Sequence, residues 1–458
     1  MSEELSADNQ PRGLPRSQVI GLILGAAFLL ATILLPPPET MAAEAWAALG
    51  LMLLMATWWS TEAIPIPATA LLPIVLVPAL GLGTVGEATE PYANPIIFLF
   101  LGGFTLGLAM QRWNLHRRIA LLTLKAVGSK PRRQIAGFML ATAFLSMWIS
   151  NTATAIMMLP IGLSVVAMMD SNDNPEGIRR YATALLLAIA YSASIGGIAT
   201  LIGTPPNALL AAYLSENQGV SVGFAQWMLL GVPVTVVMLA LAWWWLTRRD
   251  FGLSNTAGGA EAIREELDAL GPLGKGEKLV ALVFLITATA WIFRPLLSEN
   301  LMPWLSDTGI AIAAAIAMFL IPVNTRSREF VLDWETAKGI PWGVLLLFGG
   351  GLAMAGVISS SGLAEWIAQS LGVAGALPTL VMIVLVAGII IFLTEVTSNT
   401  ATAAAFLPLL GALALSQGVS PLLLTVPAAI AASCAFMMPV ATPPNAIVFS
   451  SGHMQIRL

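Results

Sequence analysis

Charge is scarce in this chain. Only 10% of its 458 residues are Asp, Glu, Lys or Arg, while 57% are apolar. Soluble domains carry about 25% charged residues, so a water-facing globule is excluded and lipid is the expected solvent. Cysteine is nearly missing: Cys434 stands alone in an apolar run, which leaves no disulfide framework. The two histidines, His116 and His453, lie far apart, so a His/Cys metal cluster is excluded as well. A net charge of −4 gives no reason to expect nucleic acid as a partner. A cleavable signal peptide is not expected either. Residues 1–18 are polar, and the first apolar run ends in Pro36-Pro37-Pro38 without a small-residue cleavage pattern.

Long apolar runs are what the chain has. A spanning helix needs about 20 apolar residues. Candidate spans are 18–36, 43–60, 64–83, 95–111, 134–149 with 153–169, 178–216, 226–247, 278–297, 303–323, 341–358, 378–397 with 401–416, and 421–456. The stretches 178–216 and 421–456 are too long for one span and contain Gly203-Thr204-Pro205-Pro206 and Ala441-Thr442-Pro443-Pro444. The two paired spans are interrupted by Ser-Asn-Thr. Lys and Arg mark the cytoplasmic side, and Arg112, Arg117, Arg118, Arg132 and Arg133 fall on one side of this layout with Arg248, Arg249, Arg326 and Arg328. The N-terminus is therefore expected to be cytoplasmic. The polar stretch 251–277 reads as a cytoplasmic linker with a short surface helix, and Trp243, Trp244 and Trp245 as an interfacial belt.

The interruptions repeat. Ser150-Asn151-Thr152-Ala153-Thr154-Ala155 recurs as Ser398-Asn399-Thr400-Ala401-Thr402-Ala403, at an offset of 248. Thr204-Pro205-Pro206-Asn207-Ala208 recurs as Thr442-Pro443-Pro444-Asn445-Ala446, at an offset of 238. Phe100–Gly103 and Phe348–Gly351 match in part at the first offset. Three matched blocks in one order mean a duplicated unit. The expected organisation is a tail and first helix (1–36), a first repeat (43–250; tip 150–152, break 203–206), the linker (251–277) and a second repeat (278–458; tip 398–400, break 441–444). The second repeat is expected to lack the final helix that 226–247 supplies to the first. The first hairpin starts beside Arg132 and Arg133, whereas the second starts near Gly375 in a stretch without Lys or Arg, so the repeats are read as inverted. Inverted repeats with broken helices in matching positions point to a transporter site at the bilayer midplane.

Ser, Asn and Thr are good helix N-caps. At a hairpin tip, the arm that begins there offers free N–H groups to an anion. The arm that ends there offers carbonyls to a hard cation. The breaks follow the same logic: Pro205 and Pro443 suit the first helical position, Thr204 and Thr442 would cap the half-helices, and the carbonyls of Gly203 and Ala441 would be released. No Lys or Arg sits at the four interruptions, so co-bound cations are expected to compensate an anionic substrate. Glu395 lies beside the second tip, where an ionisable residue is costly; it reads either as a tuner of cation or proton binding or as a hydrogen-bonding strut. Glu62 reads as a helix-end cap or an ion-pair partner. Gly102-Gly103 and Gly349–Gly351 suggest close helix packing, since phosphate binding would need a Walker-type Lys.

At these residues the sequence resembles the divalent anion–sodium symporter family, which includes bacterial and animal dicarboxylate and citrate carriers. Trp58–Pro65, both Ser-Asn-Thr tips, both Thr-Pro-Pro breaks and the continuation Asn445–Phe449 carry the resemblance, which spans nearly the whole chain. It implies an all-α polytopic membrane protein, not an enzyme. The protein would be a homodimer with a scaffold and an elevator-type transport domain; the short loops suggest a bacterial inner membrane. It implies one sodium site from Ser146, Ser150, Asn151 and Gly203, and another from Thr394, Thr397, Asn399 and Ala441. Substrate carboxylates would meet Asn151, Thr152, Thr204, Pro205, Ser398, Asn399, Thr400, Thr442 and Pro443. Import of C4-dicarboxylates such as succinate, malate or fumarate with sodium is the expected activity. The alternatives are a sodium-independent dicarboxylate exchanger and a carrier for citrate or sulfate.

Overall fold

The computed structural model describes residues 15–128, 130–168, 174–253, 257–371 and 378–454. The tail 1–14, the start of the second hairpin at 375–377 and residues 455–458 lie outside the described residues. The architecture is all-α, relieved among the described residues by one two-stranded hairpin, Pro322–Asn324 with Glu329–Phe330. Among the described residues six helical stretches are long and apolar enough to cross a bilayer, including Arg16–Leu34, Phe224–Thr247, Lys275–Glu299 and Trp342–Ser360. Helix Phe224–Thr247 shows why lipid is the solvent: Leu229 is 81% exposed and Leu241 60%. Such surface is unfavourable in water at about 25 cal/mol per Å2 and costs nothing against acyl chains.

The interruptions take the form of tight reversals and unwound loops. Helices Pro131–Ser146 and Asn151–Ala167 make the first hairpin, and Thr379–Thr394 and Asn399–Ser416 the second. The long segments break into Pro175–Gly197 and Pro205–Gln218 in the first half, and Leu422–Ala432 and Pro443–Phe449 in the second. Each half-helix after a break begins with proline, whose missing N–H costs nothing at that position.

Three features differ from the sequence expectation. The stretch 64–83 is not one span: it divides into Ile66–Thr69 and Leu72–Ala79, because Pro67, Pro73 and Pro78 each remove a backbone donor. Amphipathic helices Leu115–Val127 and Leu363–Leu371 follow the two Gly-rich helices, Pro95–Arg112 and Trp342–Ser360, in parallel positions. The strand hairpin is the third. It is tied to the basic end of the bundle by Trp113 Nε1 donating to Val331 O (2.7 Å) and by the Arg112–Asp333 ion pair (2.5 Å).

The linker carries helix Ala257–Ala269, which packs on both Leu115–Val127 and Asn151–Ala167. Arg117 pairs with Glu266. The Arg118 guanidinium donates to both Glu277 oxygens (2.7 and 3.1 Å) and to Gly271 O (3.0 Å), so one buried arginine holds the end of the linker.

The Gly-rich runs are packing surfaces. A Cβ on Gly102 would stand 2.6 Å from the Ala311 backbone, and one on Gly350 would overlap the Ala70 carbonyl. Backbone cannot move aside as a flexible side-chain end can. Gly350→Ala should therefore lower stability by about 1–3 kcal/mol through overpacking, whereas Gly356→Ala, whose Cβ meets nothing within 4 Å, should cause no loss. Thermal unfolding midpoints of the two variants in one detergent check this; equal midpoints would refute the packing account.

Candidate binding site

Every residue named for the site except Ser146 and Thr394 lines one cavity of about 1330 Å3. Both tips and both breaks, distant in sequence by about half the chain, meet there. Ser146 and Thr394 are fully buried behind the tips and hold the tip asparagines from the rear. The helix ends Gln111 and Pro341 also line the cavity, so it reaches the end of the bundle that carries Arg112 and Lys338.

At each tip a serine makes the turn possible. Ser150 Oγ accepts from Ala153 N (3.3 Å) and Ser398 Oγ from Ala401 N (3.5 Å). A helix leaves its first four N–H groups without intrahelical partners. The serine takes one, and the N–H groups of Thr152 and Thr400 remain for whatever enters the cavity. The breaks behave differently from the tips. Two successive prolines leave no N–H at the first two helical positions, so these segments present hydroxyls and ring faces. Thr442 Oγ1 caps Asn445 N (3.3 Å) as expected. Thr204 makes no such cap; its Oγ1 lies 3.5 Å from Ser433 Oγ, and so ties the two breaks together.

Behind the first tip the oxygens converge. Hydrogen bonding is best satisfied with the Asn151 amide nitrogen donating to Gly203 O (3.2 Å), Ala193 O (3.0 Å) and Ser146 Oγ (2.6 Å). Ser146 Oγ in turn donates to Ala193 O (2.6 Å). Turning the amide over places Oδ1 among those three oxygens. That orientation is repulsive for protein alone and favourable once a hard cation sits between them, because hard cations take oxygen ligands. The second tip repeats the pattern: Thr394 Oγ1 lies 2.7 Å from Asn399 Oδ1 and 2.8 Å from Ala432 O, and its single proton serves one at a time.

The unwound loops are braced by residues outside the predicted set. Asn207 Nδ2 donates to Gly197 O (3.1 Å) and Thr200 O (2.8 Å); Asn445 Nδ2 donates to Ala435 O and Met438 O (3.1 Å each). The duplicated Thr-Pro-Pro-Asn-Ala motif contained this signal, since its fourth residue is invariant between copies. Ala193 and Ala432 contribute only carbonyls and carry no side-chain signal. Tip and break are also tethered, by different chemistry in the two halves. Thr200 Oγ1 donates to Met147 O (2.5 Å) and accepts from Gly203 N (3.1 Å). At the position matching Met147, Glu395 accepts from Met437 N (2.9 Å) and Met438 N (2.8 Å). Glu395 is therefore a strut, 3% exposed, that also lines the cavity. Glu62 is the helix-end residue expected, in left-handed conformation (φ 49°), and it lies at the cavity as well. Among the described residues the lining thus holds two carboxylates and no Lys, Arg or His.

An all-α membrane bundle that joins two tips and two breaks around one cavity is a solute transporter. Residues 16–457 match the family model for the sodium:sulfate symporter transmembrane region, and the chain belongs to that family. It is 44% identical to the sodium-dependent dicarboxylate transporter SdcS of Staphylococcus saprophyticus, over 96% of this chain and 86% of that one. It is equally similar to SdcS of Staphylococcus aureus strain USA300, over 99% of this chain and 89% of that one. A solved structure of MtrF from Neisseria gonorrhoeae, described as illuminating a class of antimetabolite efflux pumps, superposes with a TM-score of 0.56 at 14% identity. The match covers 96% of this chain and 89% of that one, and it bears on fold alone.

Hydrogen bonds to a charged acceptor are worth about 1.5–3 kcal/mol. Glu395→Gln keeps the shape but sets an amide NH2 against one of the two N–H donors. Initial transport rates should fall roughly tenfold or more with surface expression near wild type. Undiminished transport would mean the second break holds its shape without the carboxylate.

Proposed function

We propose that the protein imports C4-dicarboxylates together with sodium ions. The observation that carries this reading is the cavity lining: both tips and both breaks are present and, among the described residues, two carboxylates face in and no cationic side chain does. A dianion entering such a lining meets only negative formal charge. Cations bound beside it supply the missing compensation, and the oxygen clusters behind the tips suit that task. The similarity to relatives named as sodium-dependent dicarboxylate transporters supports the same pairing of solute and ion.

In this reading one sodium ion sits with Ser146, Ser150, Asn151 and Gly203, joined by the Ala193 carbonyl. A second sits with Thr394, Thr397, Asn399 and Ala441, near the Ala432 carbonyl. Each asparagine turns its oxygen to the ion, which releases its amide nitrogen and the neighbouring helix N–H groups for substrate. One substrate carboxylate meets Asn151, Thr152, Thr204 and Pro205; the other meets Ser398, Asn399, Thr400, Thr442 and Pro443. Two sites of like design, one from each repeat, suit a solute with two carboxylates. Sodium binding thereby builds the anion site, which is the physical basis of coupling.

The two repeats are read as inverted in the membrane, with the basic end cytoplasmic. The cavity then faces the cytoplasm, and the tips and breaks travel as one body past a scaffold in an elevator movement within a homodimer. The plasma membrane of a bacterium is the proposed setting.

Labelled succinate uptake into proteoliposomes tests the reading. Uptake should require an inward sodium gradient, and unlabelled malate and fumarate should compete better than citrate or sulfate. Asn151→Ala and Asn399→Ala should each abolish uptake while leaving the protein folded by size-exclusion profile. Gradient-independent exchange of internal for external succinate would replace symport by exchange, and wild-type uptake in either variant would remove that asparagine from the site.

A further inference from the structure

A second, smaller cavity lies away from the transport site, on the outer surface of the bundle. It measures about 240 Å3, roughly eight times the ~30 Å3 that a water molecule occupies in the liquid. Three elements form it: Tyr191 and Ile195 of helix Pro175–Gly197; Leu241, Ala242 and Trp245 of helix Phe224–Thr247; and Phe436 of the unwound second break. The lining is apolar throughout. Water needs two to four polar partners to settle in a cavity, so hydrocarbon is the fitting occupant.

The groove has a charged end. Trp245 forms part of its wall, and the Arg248 guanidinium lies 3.5 Å from the centre of the Trp245 ring. Arg249 follows, and both arginines are exposed. Among the described residues no carboxylate pairs with either of them. Trp243 and Trp244 beside them are 37% and 58% exposed, which marks the level of the headgroups. An apolar groove that ends in unpaired guanidinium groups at headgroup depth complements one molecule: a lipid with an acyl chain and an anionic phosphate.

We infer that this groove is a binding site for an anionic glycerophospholipid, one acyl chain lying against Leu241, Ala242 and Phe436 and the phosphate held by Arg248 and Arg249. The wall opposite the chain is functional ground. Tyr191 Oη donates to Phe436 O (3.0 Å), and the two rings meet edge to face at 5.2 Å. Phe436 directly precedes Met437 and Met438, the two residues whose N–H groups Glu395 holds. A chain in the groove therefore supports the same loop from the lipid side that Glu395 supports from the cavity side. The site links the lipid composition of the membrane to the order of the second break.

The test uses the purified full chain in detergent. Retained phospholipid is measured by mass spectrometry, and the unfolding midpoint by heating with added phosphatidylglycerol, phosphatidylcholine or inorganic phosphate. The wild type should retain phosphatidylglycerol and gain stability from it, and not from the other two additives. Arg248→Gln with Arg249→Gln should cut retained phosphatidylglycerol roughly tenfold or more. Ala242→Phe should fill the groove with its own ring and displace the chain, while keeping a monodisperse profile. Equal effects of phosphatidylglycerol and phosphatidylcholine, a shift with inorganic phosphate alone as large as that with phosphatidylglycerol, or wild-type lipid retention in the double variant would each overturn the proposal. None of these readouts depends on which solute is transported.

Discussion

Free helix ends inside a membrane protein are the constraint on which this structure turns. Two hairpin tips and two breaks expose backbone N–H and C=O groups far from bulk water. Each group left unpaired there costs several kcal/mol. The chain answers with a small set of side chains. Ser150 and Ser398 cap the trailing arms, Ser146 and Thr394 reach the carbonyls of Ala193 and Ala432, and Asn207 and Asn445 gather carbonyls of the unwound loops. What these residues leave unsatisfied is what a solute and its ions can satisfy. Stability and binding draw on the same polar groups, which are gathered at the tips and breaks of the cavity without a cationic side chain among the described residues.

The two halves share this scheme but not every detail. Where the first half tethers tip to break with a threonine hydroxyl, the second uses a buried carboxylate. Thr397 hydrogen-bonds Thr402 at 2.6 Å, whereas Ile149 stands at the matching place and the Thr154 hydroxyl has no partner. Thr204 turns away from its own helix toward Ser433 and links the breaks across the repeat boundary. The second half is thus braced by carboxylate and hydroxyl contacts, and the first also by close backbone packing, as at Gly196 against Ala143. A duplicated unit has here diverged in how it holds its loops while keeping the groups that face the cavity.

Much of this was legible in the residues because the signals are local. A serine cap, a proline at the first helical turn and a run of apolar residues act over a few positions, and a duplicated motif declares itself by identity. The lipid setting, the two tips and the two breaks follow from those signals, whereas the assignment of ions and carboxylates to particular residues rests on the family resemblance. The split of 64–83 was less plain, because three prolines in an apolar run permit either a kinked span or separate short helices, and packing chose the latter. Tertiary structure alone decided that the carbonyls of Ala193 and Ala432 stand behind the tips, against Ser146 and Thr394, and that Glu395 faces backbone donors of the second break. A carbonyl belongs to every residue and so leaves no mark in the sequence, and contacts between segments hundreds of residues apart are set by how helices pack, not by any one stretch of chain.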